Sequence, residues 1–247
     1  KRDVDKDGLI SLDDLKAAIT PKTILISVMY ANNETGVLFP IKEIGQIAKE
    51  KGVAFHTDAV QAAGKIKIDV NDLNVDLMTI SGHKLYAPKG VGALFIKRGT
   101  RLVPLVHGGH QARNRRGGTE NVAGIVAMGK ASEIAIRDME KETEHLKTLK
   151  ERLEKGMTER VPHIKINGHP DKRLPNTANI SFEFVEGESL LLNLDMKGIA
   201  ASSGSACTSG SLEPSHVLVS MGLTHELSHG SVRFSLGKSN TVQEIDY

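Results

Sequence analysis

Short apolar runs alternate with segments of helical spacing through the first half of the chain. The runs predict buried strands at 23–29, 53–56, 77–80 and 91–97. Between the first two runs, Ile41, Ile44 and Ile47 recur every third position, and they predict a helix over 41–51 that ends at Gly52. Strands that alternate with helices are typical of an α/β fold with a mostly parallel sheet and helices on both faces. Ligands in such folds bind at the carboxyl ends of the strands.

The longest helical pattern extends over 122–153 and changes part-way from small, apolar residues to charged ones. We interpret this change as the boundary between a large domain, 1–138, and a smaller α+β domain, 139–247. The predicted elements of the smaller domain are strands near 164–167, 177–184 and 232–235, and helices near 189–196 and 214–221.

Composition narrows the class of protein. The 247 residues allow one large or two modest domains, and the net charge of +2 argues against a nucleic-acid-binding surface. No apolar run has the length of a membrane span. The single cysteine excludes an internal disulfide, and no signal peptide is visible, so we predict a cytoplasmic protein without a membrane partner.

An acidic turn near the start, Asp3-Val4-Asp5-Lys6-Asp7-Gly8, follows much of the spacing of a calcium-binding EF-hand loop. Position twelve is Asp14 instead of glutamate, and no helix-forming segment precedes the turn. The alternative is a polar turn that leads into a helix capped near Ser11. We favour the polar turn and predict no metal site.

A lysine and an aspartate each lie just after a predicted strand. Lys84 ends the motif Ser81-Gly82-His83-Lys84, and Asp58 ends Phe55-His56-Thr57-Asp58. A lysine that forms a Schiff base needs a site where desolvation or nearby cations favour its neutral form. Enzymes that use pyridoxal phosphate pair such a lysine with an aspartate that keeps the pyridinium nitrogen protonated. We predict this chemistry where the two strands end, although a surface lysine and a helix-capping aspartate are the simpler alternatives.

Two further residues stand out from their surroundings. Cys207 lies among serine, glycine, alanine and threonine at 202–210, whereas structural cysteines are usually buried among aliphatic side chains. This favours an exposed nucleophile. Arg233 lies between apolar neighbours on a predicted strand and needs an anion, either an internal carboxylate or that of a substrate.

These motifs resemble those of cysteine desulfurases, a family of the pyridoxal-phosphate fold type I superfamily. The stretch 26–92 is similar to the family's cofactor-binding region, and 202–210 resembles the active-cysteine loop of its long-loop class. The resemblance implies an L-cysteine desulfurase with pyridoxal 5'-phosphate as cofactor. Such an enzyme converts L-cysteine into L-alanine and a persulfide, here on Cys207, and gives the sulfur to a scaffold protein of iron–sulfur cluster assembly. Transient ligation of such a cluster by Cys207 is left open.

The resemblance also implies roles for individual residues. Lys84 and Cys207 would be catalytic, and Arg233 would bind the substrate carboxylate. The other residues would contact the cofactor: Ser81 and His83 its phosphate, Asp58 its ring nitrogen, and Gln61 and Asn33 its phenolic oxygen, with Asn33 also near the substrate. A turn asparagine is the alternative for Asn33, and His56 is interpreted as a core residue.

Thr119 precedes the long helix, and the resemblance implies that it reaches into the neighbouring subunit's site in a homodimer. The alternative is a simple helix cap, and both roles are compatible. The family extends further at its N-terminal end, where it carries a ring-stacking aromatic residue, a phosphate-binding turn and a histidine base. None of these is found here, so we expect the C-terminal two-thirds of an enzyme, weakly active or inactive alone. His107 is a substitute candidate for the base.

Two alternatives stay open. One is a selenocysteine lyase or another fold type I enzyme, against which the Cys207 loop argues. The other is an inactive fragment or a piece that binds the scaffold protein.

Overall fold

The computed structural model describes residues 4–203 and 213–247. Their elements, in chain order, are α1 (Leu12–Ala18), β1 (Leu25–Met29), α2 (Ile41–Lys51), β2 (Ala54–Asp58), β3 (Leu77–Ser81), a 3₁₀ turn (Gly82–Leu85), β4 (Gly92–Ile96), α3 (Gln111–Asn114), α4 (Val122–Arg160), β5 (Ile164–Asn167), β6 (Thr177–Phe182), α5 (Gly187–Met196), α6 (His216–Ser220), α7 (His225–His229), β7 (Ser231–Ser235) and α8 (Val242–Asp246).

These elements form two compact units, each described by itself below. Among the described residues, the four-stranded unit comprises 23–28 and 41–138, and the three-stranded unit comprises 4–22, 29–40, 139–203 and 213–247. The two units divide within the long helix between Asp138 and Met139. The domains predicted from the sequence, 1–138 and 139–247, stay a prediction.

The four-stranded unit contains a sheet with the order β1-β2-β3-β4. Strands β2 and β3 are parallel, with Asp58 opposite Thr79, whereas β4 is antiparallel to β3, with Gly92 opposite Ser81. The chain between β3 and β4 is too short for the crossover that a parallel strand would need. The sheet is therefore mixed, with its parallel pair at the position where the sequence places the candidate site.

Helix α2 packs on this unit through the apolar face that the isoleucine spacing predicts. Ile41, Ile44 and Ile47 are buried, and so is Phe55 on β2. The backbone of α2 also lies very close to the loop that precedes β3. A Cβ atom on Gly45 would lie 2.0 Å from the carbonyl oxygen of Leu73 in that loop. The helix is thus fixed to the sheet by side-chain burial and by a contact that only glycine permits.

The three-stranded unit contains an antiparallel sheet with the order β5-β6-β7. Its central strand β6 is buried at every position. The apolar core comprises Ala178, Ile180, Phe182, Val232 and Phe234. The segment 29–40 belongs to this unit, where Gly36 accepts a backbone hydrogen bond from Leu174 at 2.8 Å. Distant parts of the sequence therefore meet at this sheet.

In the acidic turn near the start of the chain, an aspartate side chain accepts hydrogen bonds from backbone amides of the turn itself. One carboxylate oxygen of Asp5 accepts hydrogen bonds from the amides of Asp7 and Leu9, both at 2.9 Å. Ser11 caps α1 as predicted, since its hydroxyl accepts from the amide of Asp14. Within residues 4–203 and 213–247, no group of three or more histidine, cysteine or acidic side chains could hold a metal ion. No helix in the same residues has the length and apolarity needed to cross a membrane.

Candidate functional site

The carboxyl ends of β2 and β3 bring two of the predicted residues to one edge of the sheet. Asp58 is the last residue of β2, and Lys84 lies in the 3₁₀ turn that directly follows β3. The parallel pairing continues past Asp58, because the amide of Ala59 donates to the carbonyl of Thr79 at 2.9 Å. Asp58 also accepts a hydrogen bond from the amide of Val60 at 2.9 Å, within a turn and not at a helix start, since no helix lies between β2 and β3.

The turn that carries Lys84 is held in place by close packing. Gly82 is buried, its amide donates to the carbonyl of Val91 at 2.9 Å, and a Cβ atom there would lie 2.8 Å from a Val91 methyl. Tyr86 ends the turn in the left-handed region at φ 62°. Lys84 itself is half-buried. Its backbone position is thus fixed while its side chain retains access to solvent.

A hydroxyl and an imidazole flank this lysine. The Ser81 hydroxyl and the Nδ1 atom of His83 are 2.7 Å apart, and His83 is exposed. Such groups donate hydrogen bonds to anions. The sequence pattern therefore places donors for an anion immediately before Lys84.

Lys65 is a second amine near Lys84, and the sequence analysis missed it. Its Nζ atom donates to the carbonyl of Gln61 at 3.0 Å. Burial lowers the pKa of Lys65 to about 8, and the nearby charge of Lys84 adds to the effect. The preceding Gly64 packs on the lysine turn, since a Cβ atom there would lie 2.4 Å from a Leu85 methyl. In the sequence, the only local feature that could have indicated Lys65 as a site residue is the pair Gly64-Lys65, shortly after Gln61.

His56 lies on β2 and is half-buried. Its Nδ1 atom lies 2.8 Å from the Ser27 hydroxyl, and its Nε2 atom lies 3.3 Å from the Thr79 hydroxyl. Burial lowers the pKa of His56, while the charge of Asp58 acts in the opposite direction. Both ring nitrogens are therefore engaged with neighbouring strands.

The groups at this edge have the chemistry that pyridoxal phosphate requires. A lysine amine, a carboxylate and a hydroxyl–imidazole pair lie at the ends of two paired strands, and Gln61 lies three positions after Asp58 in the turn that follows β2. The amine suits covalent attachment, the carboxylate suits a protonated ring nitrogen, and the remaining donors suit a phosphate. The donor set fits this cofactor.

In the three-stranded unit, Arg233 on β7 has donor capacity that its neighbours do not use. Its Nη1 atom donates to the carbonyl of Asn33 at 2.8 Å, and its buried Nε atom has no hydrogen-bond partner among the residues described. The ion pairs formed within those residues do not include Arg233. An internal salt bridge is thus not seen there, and the guanidinium suits an external carboxylate.

Asn33 lies in a turn that its neighbour builds. The Asn32 side chain accepts hydrogen bonds from the amides of Glu34 and Thr35, at 2.8 and 2.9 Å. Asn32 is buried and Asn33 is half-buried. The turn-forming role, considered as the alternative for Asn33, therefore belongs to Asn32.

Two other candidates, Thr119 and His107, lie in loops. Thr119 is exposed just before α4, and Asn121 caps the helix by accepting from the amide of Gly124 at 3.1 Å. His107, the candidate base, is exposed. Cys207 lies outside the described residues. The described geometry thus contains the proposed cofactor and carboxylate ligands, in two separate units.

A sequence profile of the family described as aminotransferase class-V matches residues 1–247. The chain belongs to the aminotransferase class-V family. Among family members, the chain is 57% identical over 246 residues to the cysteine desulfurase IscS of Clostridium botulinum (strain Hall), covering 99% of this chain and 62% of that protein. It is 53% identical over 246 residues to the cysteine desulfurase NifS of Azotobacter vinelandii, covering 100% of this chain and 61% of that protein.

The fold of this family member also matches a solved structure. A NifS-like protein from Rickettsia africae ESF-5 is 36% identical and superimposes with a TM-score of 0.91, covering 99% of this chain and 66% of that one. The α/β, fold type I architecture predicted from the sequence is thereby confirmed. The chain spans about 62% of the length of the curated Clostridium relative.

Proposed function

We propose that the protein to which this chain belongs is an L-cysteine desulfurase that uses pyridoxal 5'-phosphate. The observation that carries the proposal is the position of Asp58 and Lys84, at the ends of two paired parallel strands in a class-V chain. The 57% identity to a relative named cysteine desulfurase supports the choice of reaction within the family.

The cofactor would be held by side chains of the four-stranded unit. Lys84 would attach to it, Asp58 would pair with its ring nitrogen, Gln61 would contact its phenolic oxygen, and Ser81 and His83 would bind its phosphate. When bound, the cofactor supplies an electron sink that makes the substrate Cα–H bond acidic. The half-buried position of Lys84 and the nearby amine of Lys65 support an anion site here.

The substrate would be oriented through its carboxylate. Arg233 has an unused, buried Nε donor that suits this group, and Asn33 lies in the turn to which Arg233 is bonded. Lys84 would carry the proton at the substrate Cα. The thiolate of Cys207 would attack the substrate sulfur, so that the carbon–sulfur bond breaks as the sulfur–sulfur bond forms. The products would be L-alanine and a persulfide on Cys207.

The persulfide sulfur would pass to a scaffold protein of iron–sulfur cluster assembly. We also propose a homodimer in which Thr119 serves the partner's site. Its support is that apolar side chains of α4 close to Thr119 are exposed: Val122 at 65%, Ile125 at 50% and Val126 at 66%. A second copy of the chain would cover them. The cytoplasmic location stays a prediction.

The test is Cys207→Ser in the whole protein, loaded with cofactor. L-alanine production from L-cysteine should fall by orders of magnitude, since the covalent nucleophile is lost. Solvent exchange of the cysteine Cα hydrogen should continue, because Lys84, Asp58 and Arg233 are unchanged. Alanine production close to that of the wild type would contradict the persulfide mechanism. Parallel assays of alanine production from selenocysteine and from L-cysteine distinguish a selenocysteine lyase from a desulfurase, because a lyase would prefer selenocysteine.

A further inference from the structure

Two fully buried asparagines lie in line with Arg233 on the three-stranded sheet. Asn167 on β5 is opposite Asn179 on β6, and Asn179 is opposite Arg233 on β7. Residues that are opposite one another on neighbouring strands project from the same face of the sheet. Burial of an amide costs free energy unless the amide forms hydrogen bonds. The proposed reaction assigns no role to either asparagine, so the partners of the two amides show what they do.

The two amides form a chain of hydrogen bonds that ends on the turn at 32–36. The Nδ2 atom of Asn167 donates to the Oδ1 atom of Asn179 at 2.8 Å. The Nδ2 atom of Asn179 donates in turn to the backbone carbonyl of Glu34 at 3.2 Å. Because Asn167 occupies the oxygen of the Asn179 amide, that amide presents its nitrogen to the turn. The turn is closed from within by Asn32, and Asn179 attaches it to the sheet.

Arg233 reaches the neighbouring carbonyl of the same turn. Its Nη1 atom donates to the carbonyl of Asn33 at 2.8 Å, and its buried Nε atom has no hydrogen-bond partner within the described residues. The backbone of Arg233 is fixed separately, since it pairs with Asn179 on β6 and exchanges hydrogen bonds of 2.6 and 3.2 Å with Ser202. The direction of the guanidinium, in contrast, depends on where the Asn33 carbonyl lies.

We infer that Asn179 is a positioning residue for the substrate carboxylate. It holds the carbonyl of Glu34, and this sets the place of the adjacent carbonyl of Asn33, which orients the guanidinium of Arg233. The inference rests on the proposed function, in which Arg233 binds the carboxylate. Hydrogen bonds weaken steeply when their geometry is distorted, so a displaced guanidinium would lose affinity for the carboxylate and not for the rest of the substrate.

The experiment compares Asn179→Ala with Ser181→Ala in the whole protein with cofactor bound. Ser181 is the matched control, because it is equally buried on β6 and also accepts a hydrogen bond from Asn167, at 2.8 Å. The dissociation constants of L-alanine and ethylamine, which differ by the carboxylate, are measured from the cofactor absorbance. Asn179→Ala should weaken L-alanine binding by about fivefold or more, as expected for one lost hydrogen bond, and ethylamine binding by less than about twofold. Ser181→Ala should change neither by more than about twofold.

Two further measurements separate positioning from a general loosening of the fold. In the Arg233→Lys variant no guanidinium is left to be oriented, so adding Asn179→Ala should weaken L-alanine binding by less than about twofold further. The other measurement needs no cofactor. Backbone amide hydrogen exchange of the segment 32–37 in the cofactor-free protein should be about fivefold or more faster in Asn179→Ala than in Ser181→Ala.

Equal losses for L-alanine and ethylamine in Asn179→Ala would overturn the inference. So would an effect of the same size in the Arg233→Lys background, or equal amide exchange in the two single variants. A wild-type protein that binds L-alanine no better than ethylamine would instead overturn the carboxylate site of the proposed function. If Asn179→Ala does not fold, Asn167→Ala, which frees the Asn179 amide, must show the selective loss for L-alanine, and its absence there decides against the role.

Discussion

The substitution Arg233→Lys tests the carboxylate site most directly. Lysine retains the charge, but it replaces a planar fork by a single ammonium. In the wild type, Nη1 is committed to the carbonyl of Asn33 and Nε is left for a ligand. One ammonium at this depth cannot reproduce both contacts in the same geometry. The expected loss is about one charge-assisted hydrogen bond, roughly 1.5–3 kcal/mol, which corresponds to about 10- to 150-fold weaker binding of a carboxylate.

The assay uses two sulfur-free primary amines, L-alanine and ethylamine, which differ by the carboxylate and cannot form the persulfide. Their dissociation constants are measured from the cofactor absorbance of the whole protein. Arg233→Lys should weaken the binding of L-alanine by about 10- to 150-fold and the binding of ethylamine by less than about threefold. Arg98→Lys, at an exposed arginine of the other unit, is the matched control and should change neither. Equal losses for both ligands would show that Arg233 supports the fold and does not bind the carboxylate.

Two further predictions concern stability, measured by urea denaturation of the cofactor-free protein. Gly45→Ala should lower the free energy of unfolding by about 1–3 kcal/mol, because the new methyl group would lie 2.0 Å from the Leu73 carbonyl oxygen. Gly156→Ala in α4, where nothing lies within 4 Å, should raise it by about 0.5–1 kcal/mol. Changes of the same sign in both variants would refute the packing argument. Lys65 has a pKa of about 8 in the folded protein, below its ordinary value of 10.5. Between pH 8 and pH 10.5 its amine is therefore protonated in the unfolded chain and neutral in the folded one. The free energy of unfolding should rise as the pH increases through this range. Lys65→Met should be more stable than the wild type at pH 7 and lose this advantage by pH 10.5, and a pH-independent difference would contradict the burial of a charged amine.

The elements that the sequence predicts best are those whose burial follows a local period. Helix α2 has the predicted bounds, Ile41–Lys51, because its isoleucines face the core and Gly52 ends it at φ 64°. Strand β6 ends at Phe182 instead of 184, since Phe184 turns at φ 62° and is 78% exposed. An apolar residue in a turn is indistinguishable from a strand residue by pattern alone.

The short C-terminal helices were missed because they carry almost no apolar pattern. Helix α7, His225–His229, is mainly polar, and its only local signal is the cap at Thr224. Helix α8, Val242–Asp246, has a capping box of Thr241 and Glu244, which could have been recognised. Helix α4 continues past the predicted end at 153 to Arg160, as its charged residues do not interrupt it.

Site residues that follow the end of a strand could be predicted from the sequence. Contacts between residues that are far apart in the sequence could not. The apolar runs before Asp58 and Lys84 place both residues at the edge of the sheet. The Gly64–Lys65 pair is a weak local signal for Lys65, and the packing of Gly64 against Leu85 of the lysine turn is not visible in the sequence. Asn33 and Arg233 are distant in the sequence, and the hydrogen bond between them depends on the folded three-stranded unit.

The discontinuous make-up of that unit has a consequence during synthesis. Asn33 and Arg233 are separated by 200 positions, so at roughly 5–20 residues per second about 10 to 40 s pass between their appearance on the ribosome. All residues of the four-stranded unit precede residue 139, so they are synthesised before most of the three-stranded unit. Val37, buried in the finished protein, pairs with Arg173 and packs beside Gly168, both of which are synthesised much later. The nascent chain therefore exposes this segment at the time when chaperone binding and aggregation compete for it.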